Sequence, residues 1–170
     1  EAMILWELST FYDDLARIGA AAFLGGAIGL EREWHGHWAG LRTHMMVAIG
    51  AAIFVIGGST AHGQNIDGPS RVIQGVASGI GFLGAGTILK LGEKMEIKGL
   101  TTASSIWLAA ALGIAAGLAE YSLALASAVI SLFVLGVLGP LEKFLERRHK
   151  WRQNHQKNAG SGDVDHTTPS

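Results

Sequence analysis

The amino-acid sequence predicts an all-α protein, a polytopic membrane helix bundle with about five transmembrane helices. Three observations predict this fold class. Only 16% of the 170 residues are charged, against roughly 25% in soluble domains. Five stretches come close to the ~20 apolar residues that a bilayer-spanning helix needs. Much of the glycine, 24 residues in all, lies inside these stretches, as is common in transmembrane helices.

The first predicted span covers residues 15–30 and is the weakest, because Arg17 lies inside it. Acidic residues precede this span, where a cleavable signal peptide carries positive charge, so we expect a retained helix. The Arg17 side chain is expected to reach the outer interface. Between the spans, no strand-like alternation of useful length occurs. The other spans are predicted at 45–61, 72–91, 99–118 and 121–138.

Basic residues decide the predicted orientation, because cytoplasmic loops carry an excess of Lys and Arg. The segment before the first span has no Lys or Arg, whereas six such residues follow Pro140. Five spans place these two ends on opposite sides. We therefore expect the N-terminus outside and the C-terminus in the cytoplasm. The predicted parts are a transmembrane domain at 1–140, a basic juxtamembrane segment at 141–157 and a disordered tail at 158–170.

Glycines in the third span match a nucleotide-binding motif by spacing alone. Gly79, Gly81 and Gly84 spell GxGxxG, but that fingerprint needs a preceding strand and an acidic residue about 20 positions onward. Here the glycines lie inside an apolar run, so we expect helix packing, with Gly75 and Gly79 as a GxxxG pair. The alternative is a locally unwound helix that extends to Gly86 and lines a cavity. The same spacing recurs in the first and fourth spans, at Gly25 and Gly29 and at Gly113 and Gly117.

Charged residues gather at two span boundaries. The sequences GLERE at 29–33 and AGLRTH at 39–44 flank the first loop. Because Glu31 directly follows the apolar run, these are either boundary charges or a functional or partner-binding loop. The loop lacks a metal-binding spacing such as HExxH, so no metal site is predicted. Asp67 and Arg71 form an i,i+4 pair that is either a surface ion pair or the closure of a cavity mouth.

The fourth span opens with hydroxyl side chains, in the sequence GLTTASS. They are expected to bond backbone carbonyls or a neighbouring helix, or to line a pathway. Trp107 follows, inside the bundle or at its cytoplasmic boundary. No catalytic triad, paired acids or phosphate loop is present, so neither an enzyme nor a cofactor is predicted. The hydroxyl residues are Thr101, Thr102, Ser104 and Ser105.

These motifs together, with SGIGFLGAG at 78–86 and GLTTA at 99–103, resemble the MgtC/SapB family over about residues 19–121. Their order along the chain makes the resemblance specific. The candidate functional or packing residues are Glu31, Arg32, Glu33, Arg42, Thr43, Asp67, Arg71, Ser78, Gly79, Gly81, Phe82, Gly84, Gly86, Thr101, Thr102 and Trp107.

The resemblance implies a multi-pass protein of the bacterial inner membrane, active in adaptation to low magnesium, to acid stress or to intracellular survival and virulence. Members of the family have been linked to control of the F-type ATP synthase and to ion homeostasis. The best-known members carry a soluble ACT-like domain after the membrane helices. With only a short tail after the fifth span, this chain looks more like the short SapB/YhiD-like branch, which is associated with acid resistance.

Two functions follow as alternatives. The first is a regulatory protein that binds other membrane proteins, or copies of itself, through small-residue helix faces. The second is a transporter or channel for a small cation (Mg²⁺, K⁺ or H⁺), working as an oligomer, with Gly79 to Gly86, Thr101, Thr102 and Asp67 around the path. Both place the chain in a lipid bilayer, and neither involves nucleic acid.

Overall fold

The fold is given by a computed structural model, which describes residues 2–61, 67–91 and 96–138. It confirms the predicted all-α class, with five α-helices and, in these residues, one short two-stranded hairpin. Within these ranges, three segments are long and apolar enough to cross a membrane, Leu41–Ser59, Leu100–Gly117 and Tyr121–Leu138. The elements are α1 (Ala2–Trp34), α2 (Leu41–Ala61), α3 (Asp67–Ala85), β1 (Leu89–Leu91), β2 (Glu96–Lys98), α4 (Leu100–Gly117) and α5 (Tyr121–Phe133).

Helix α1 is far longer than the predicted span at 15–30. Its 33 residues extend over about 50 Å at 1.5 Å per residue, more than the ~30 Å of a bilayer's hydrocarbon core. The added N-terminal turns contain neither Gly nor Pro, so nothing in that segment stops a helix that the apolar run has nucleated.

The third predicted span is wrong at its C-terminal end. Helix α3 is unbroken from Asp67 to Ala85, which speaks against the alternative of a locally unwound helix over Gly79 to Gly86. Gly86 and the next residue then form a turn, in which the Thr87 hydroxyl donates to the Gly84 carbonyl at 2.7 Å. Gly84 and Gly86 lower the helix propensity here, which explains the early end.

The chain then forms a hairpin that the sequence did not indicate. Strand β1 pairs antiparallel with β2, with Lys90 opposite Ile97. Each strand has three residues, too few for a period-two pattern to be recognised.

Helices α1, α2 and α4 pack on one another, and α3 contacts α2 and α4. Ala21, Ala48, Ala52 and Ala116 form a fully buried cluster in this core. Small side chains of this kind let helix backbones approach closely, which drives association where lipid supplies no hydrophobic force.

Glycines complete this packing and confirm two of the predicted pairs. A Cβ at Gly25 would lie 2.7 Å from the Ala48 Cβ, and one at Gly29 would lie 2.8 Å from the Leu41 Cα. A Cβ at Gly117 would lie 3.0 Å from the Ala52 carbonyl, and one at Gly113 would overlap the Ala48 main chain. The pairs at 25/29 and 113/117 therefore bring α1 and α4 against α2.

Arg17 lies at the end of α4, not in the middle of the bundle. Its Nη1 donates to the Gly117 carbonyl at 3.4 Å, and Gly117 is the last residue of α4. A cation is favourable there because the last carbonyls of a helix carry partial negative charge. This position agrees with the expected interfacial arginine.

The chain divides into two compact units, Glu1–Leu132 and Phe133–Ser170. In the first unit, most of α5 is exposed and its buried residues are Ala124 and Ala128. In the second, the described residues include one π-helical segment, Val134–Leu138. The predicted segments at 141–157 and 158–170 and the Asp67 side chain lie outside the described residues. The Asp67–Arg71 pair therefore stays a prediction, and Arg71 itself is exposed.

Candidate functional site

The polar residues of the bundle concentrate at one end, where α1 and α3 finish and α2 and α4 begin. We call this the loop end and define it as residues 31–44, 86–88 and 98–105. Gly36 adopts a φ of 72°, a left-handed conformation that suits glycine and that turns the chain from α1 toward α2. The Glu33 Oε2 then accepts the main-chain N–H of Leu41 at 2.9 Å. Glu33 therefore satisfies one of the free N–H groups at the start of α2.

A buried arginine lies at the end of α1. Arg32 is 3% exposed, and its Nε and Nη2 donate to the two Glu31 carboxylate oxygens at 2.6 and 3.0 Å. A buried guanidinium needs such a partner, because desolvation of an unpaired charge is costly. The third nitrogen, Nη1, is buried and has no hydrogen-bond partner among the described residues.

Glu31 is held from two sides. The His35 Nδ1 lies 2.9 Å from its Oε1 and 2.9 Å from its main-chain oxygen. Glu31 follows the last residue of the predicted first span. Burial raises the pKa of its carboxyl, but the hydrogen bond and charge of Arg32, helped by His35 and His37, outweigh burial and hold that pKa below its ordinary value. Glu31 is therefore the carboxylate that compensates Arg32.

His44 links α2 to α4 inside the bundle. It is fully buried, with Nδ1 2.9 Å from the Gly40 carbonyl and Nε2 3.0 Å from the Ser105 Oγ. A carbonyl only accepts, so Nδ1 carries the hydrogen, and in the neutral ring Nε2 accepts from Ser105. The same Oγ lies 2.9 Å from the Thr102 carbonyl. The Ser105 hydroxyl has one hydrogen, so beside a neutral His44 its bonds to the Nε2 and to the Thr102 carbonyl alternate and do not form together.

The expected roles of the GLTTASS hydroxyls are in part confirmed. Ser104 donates to the Leu100 carbonyl at 2.9 Å, and Ser105 bonds His44 on the neighbouring helix. The candidate list missed His44 and Ser105 as a pair. The sequence shows a histidine at the start of one span and a serine near the start of another. Nothing in it indicates that these two side chains face each other.

Other sequence candidates at the loop end surround one cavity of about 760 Å³. Thr43, Gly86 and Thr102 line it. Arg42 is exposed on the first turn of α2, and Thr101 is exposed on α4. The cavity lining therefore brings together residues from three of the predicted motifs, AGLRTH, SGIGFLGAG and GLTTA.

The candidates on α3 do not join this cavity as a group. Ser78, Gly79, Gly81 and Phe82 are exposed, with Phe82 at 86%. A Cβ added at Gly75, Gly79 or Gly81 would meet nothing within 4 Å. No helix among the described residues of this chain fills these positions, so the predicted helix packing at Gly75, Gly79 and Gly81 stays a prediction.

Two other candidates lie between α3 and α4. Gly84 is buried, and a Cβ there would lie 3.6 Å from the Ala103 Cβ, an ordinary contact. Trp107 is 53% exposed and lines a small cavity with Gly81 and Gly84. Trp107 therefore lies at the surface of the helix pair and not in the core.

A second groove, between α2 and α3, is apolar and lined by glycines. It encloses about 590 Å³, and Met46, Phe54 and Val76 lie along it with Gly50, Gly75 and Gly79. A Cβ at any of these three glycines would meet nothing within 4 Å. The groove therefore has room beside bare helix backbone.

Helices that are long and apolar enough to cross a bilayer indicate a helical membrane protein. Comparison with known proteins identifies its family. The profile of the MgtC family matches residues 18–144, and the chain therefore belongs to the MgtC family, as the motifs indicated.

Two curated relatives show the extent of this similarity. The chain is 44% identical over 113 residues to Protein MgtC of Salmonella typhimurium, which covers 66% of this chain and 47% of that protein. It is 43% identical over 131 residues to Protein MgtC of Brucella abortus, which covers 77% of this chain and 53% of that protein. The chain thus spans about half the length of these relatives. No solved structure matches it.

Proposed function

We propose that this protein is a regulatory protein of the bacterial inner membrane that binds another membrane protein, or a second copy of itself, along the groove between α2 and α3. The observation that carries the proposal is the contrast between two groups of glycines. Neighbouring helices of the same chain fill the positions around one group, whereas no described residue lies within 4 Å of a Cβ built at the other.

The filled group shows what glycine does in this fold. A Cβ at Gly113 would lie 2.8 Å from the Ala48 Cα, too close for any side chain, so α4 can contact α2 only through glycine. The open group has the same spacing, since Gly75 and Gly79 are four residues apart on α3. In a bilayer, packing of small residues is what brings helices together. An unfilled pair of this kind is therefore suited to a helix from outside the chain.

The groove has the chemistry of a helix-docking surface. The residues that line it in the described part of the chain are all uncharged, and large side chains such as Met46 and Phe54 alternate with glycines. A transmembrane helix offers the complementary shape, with ridges of side chains that enter such grooves. Open glycines also leave the α3 backbone accessible to the close contacts that small-residue interfaces use.

The physiological role proposed here is adaptation to low magnesium, acid or other ion stress, with a link to virulence in related proteins. Support for this role comes from membership of the MgtC family, since no residue of the chain specifies a signal. Because the chain spans about half the length of the curated relatives, the role rests on the helical region that they share.

We also propose that the loop end faces the cytoplasm, with the N-terminus outside. Arg32, Arg42 and Lys98 all belong to the loop end, and short loops rich in Lys and Arg remain on the cytoplasmic side. The position of Arg17 at the other end of α4 agrees with an interfacial location there. Five crossings would then place residues beyond 138 in the cytoplasm.

Cation transport is the competing function. Among the described residues, those proposed for the cation path line different cavities. Gly79 lines the α2–α3 groove, Gly81 and Gly84 line a cavity beside α4, and Thr102 lines the loop-end cavity. Thr101 is exposed. Flux of Mg²⁺, K⁺ or H⁺ into liposomes that contain the purified protein would favour transport over our proposal.

Site-specific photo-cross-linking in native membranes tests the docking groove. A photoreactive residue at Val76, inside the groove, is expected to give a discrete adduct with one membrane protein or with a second copy. Gly79→Leu should abolish that adduct by filling the groove. Gly19→Leu is the matched control, because Gly19 also has nothing within 4 Å but lies on α1. Equal adduct yields in both variants would refute the groove as the interface.

A further inference from the structure

The N-terminal part of α1 extends beyond the helix bundle. Ala21 packs with Ala116 in the core, and one turn earlier Arg17 reaches Gly117, the last residue of α4. The 18 residues of α4 cover about 27 Å at 1.5 Å per residue, close to the ~30 Å of a hydrocarbon core. Residues 2–16 of α1 therefore continue for roughly 20 Å past the end of α4. We call this segment the α1 extension.

An apolar seam with the spacing of a coiled coil follows the α1 extension. Ile4, Leu8, Phe11 and Leu15 succeed one another at intervals of four, three and four residues, and we call these four residues the apolar seam. Such intervals keep side chains on the facing sides of helices that wind around each other. All four are exposed, with Phe11 at 60% and Leu8 at 48%. Single exposed apolar residues are ordinary, but a seam of this spacing is typical of a helix interface.

Lipid does not account for the apolar seam. The α1 extension lies beyond the hydrocarbon core, and its side opposite the seam carries Ser9, Thr10 and Asp13, as expected of a helix in water. A helix that lay flat on the membrane surface would have to bend away from the bundle. Helix α1 is continuous, and residues 2–18 contain neither Gly nor Pro to kink it. The seam therefore faces water unless another protein surface covers it.

The charges beside the seam favour a parallel arrangement of two copies. Glu7 and Asp14 flank the seam on one side. Leu5 and Tyr12 flank it on the other. In a parallel coiled coil the unlike flanks of the two helices meet, so each carboxylate faces an uncharged flank. In an antiparallel pair the like flanks would meet, and Glu7 would approach Asp14 of the other helix.

The membrane imposes the arrangement that these charges favour. Two copies with the same orientation in one bilayer bring their α1 extensions out on the same side and in parallel. We propose that the α1 extension binds the same segment of a second copy of this chain, as a parallel coiled coil closed by the apolar seam. A free peptide of two heptads would be a marginal helix, but anchoring in one bilayer already aligns the two helices and lowers the entropic cost of pairing. The α2–α3 groove has no part in this contact, so either interface exists without the other.

Disulfide cross-linking of the full chain in native membranes tests the seam, because the chain has no cysteine of its own. Single cysteines replace a seam residue, in Phe11→Cys or Leu15→Cys, or an exposed residue off the seam, in Ser9→Cys or Asp13→Cys. The membranes are then oxidised with copper phenanthroline. A disulfide requires a close approach of the two Cβ atoms, which a parallel coiled coil gives to identical seam residues. We therefore expect the seam cysteines to form disulfide-linked dimers at several times the yield of the other two.

A charge in the seam should separate the two helices. In the chain that carries Leu15→Cys, Leu8→Asp is expected to lower the dimer yield several-fold, because it places like charges opposite each other in the seam. Ser9→Asp is the matched control, since it adds the same charge one residue away and off the seam, and it should leave the yield unchanged. Both positions lie beyond the bundle, so the helix content measured by circular dichroism should persist in both variants.

Co-expression of chains with Ile4→Cys and with Leu15→Cys, carrying different tags, tests the direction of pairing. A parallel coiled coil links each position to itself and does not link position 4 to position 15. Dimers that join position 4 to position 15 would overturn the parallel arrangement. Equal yields at seam and off-seam cysteines, adducts with a different protein alone, or the absence of any dimer would overturn the proposal as a whole. None of these results bears on the adduct expected at Val76 in the α2–α3 groove.

Discussion

Replacement of single glycines by alanine tests how the helices are held together. At Gly113, an added Cβ would lie 2.8 Å from the Ala48 Cα and carbonyl carbon, about 0.6 Å inside the 3.4 Å at which ordinary contact begins. Both atoms belong to the main chain of α2, so they cannot rotate away. Helices α2 and α4 must separate, which also loosens the contact of Gly117 with Ala52.

The expected magnitude follows from two opposing effects. Overpacking typically destabilises by about 1–3 kcal/mol, whereas alanine is favoured over glycine in a helix by about 1 kcal/mol. Since the conflict at Gly113 is with main-chain atoms, including the Ala48 carbonyl oxygen, the cost of overpacking falls in the upper part of its range, and we expect Gly113→Ala to lower the free energy of unfolding by about 1–2 kcal/mol. Gly79→Ala has the same gain in helix propensity and no steric conflict, so it should leave stability unchanged or raise it by about 1 kcal/mol.

Unfolding of the purified protein in mixed detergent micelles, followed by circular dichroism, measures both variants against the wild type. Because they share the same chemical change in α-helices, the difference between them isolates the α2–α4 contact. A neutral Gly113→Ala, or a loss of stability in Gly79→Ala as large as that in Gly113→Ala, would refute the packing described here.

Two further predictions concern the polar cluster at the loop end. Ser105→Ala leaves the buried His44 Nε2 without its partner and should lower the free energy of unfolding by about 1–3 kcal/mol. Thr101→Ala is the control, because Thr101 is exposed, and it should have little effect. Equal effects of the two changes in the micelle assay would exclude the buried bond as the cause. Glu31→Gln leaves Arg32 buried without its counter-charge, and we expect a loss of about 2–4 kcal/mol, somewhat below the usual range for a buried pair because Glu31 is partly exposed. Since the folded-state pKa of Glu31 is lowered, its contribution to stability should be present at neutral pH and be lost as the pH falls through that lowered pKa. The difference in free energy of unfolding between the wild type and Glu31→Gln should therefore shrink on acidification. A difference that grows on acidification would contradict this sign.

The sequence was most informative where apolar runs coincide with helices. The predicted span at 99–118 matches α4, Leu100–Gly117, and the span at 45–61 lies inside α2, Leu41–Ala61. The predicted spans did not match the ends of α1 and α3. An apolar run reports the length in contact with lipid, but a helix continues through polar residues until a residue such as Gly86 stops it.

Packing partners were predictable for some glycines and not for others. The spacing at 113/117 and at 75/79 is identical, yet Gly113 contacts α2, whereas a Cβ at Gly79 would meet none of the described residues within 4 Å. Which face of a helix meets a neighbour depends on the arrangement of the whole bundle. The same holds for His44 and Ser105, which are 61 residues apart, so that only the folded chain brings them together.

The central claim is that a membrane helix from outside the chain covers the α2–α3 groove. Because the chain has no cysteine, Val76→Cys and Phe23→Cys each introduce a single thiol, the first in the groove and the second on an exposed face of α1. We predict that a lipid-soluble maleimide labels the Val76→Cys thiol several times more slowly in native membranes than in the detergent-purified monomer, and the Phe23→Cys thiol equally fast in both. Equal labelling rates at Val76→Cys in membranes and in detergent would contradict the account.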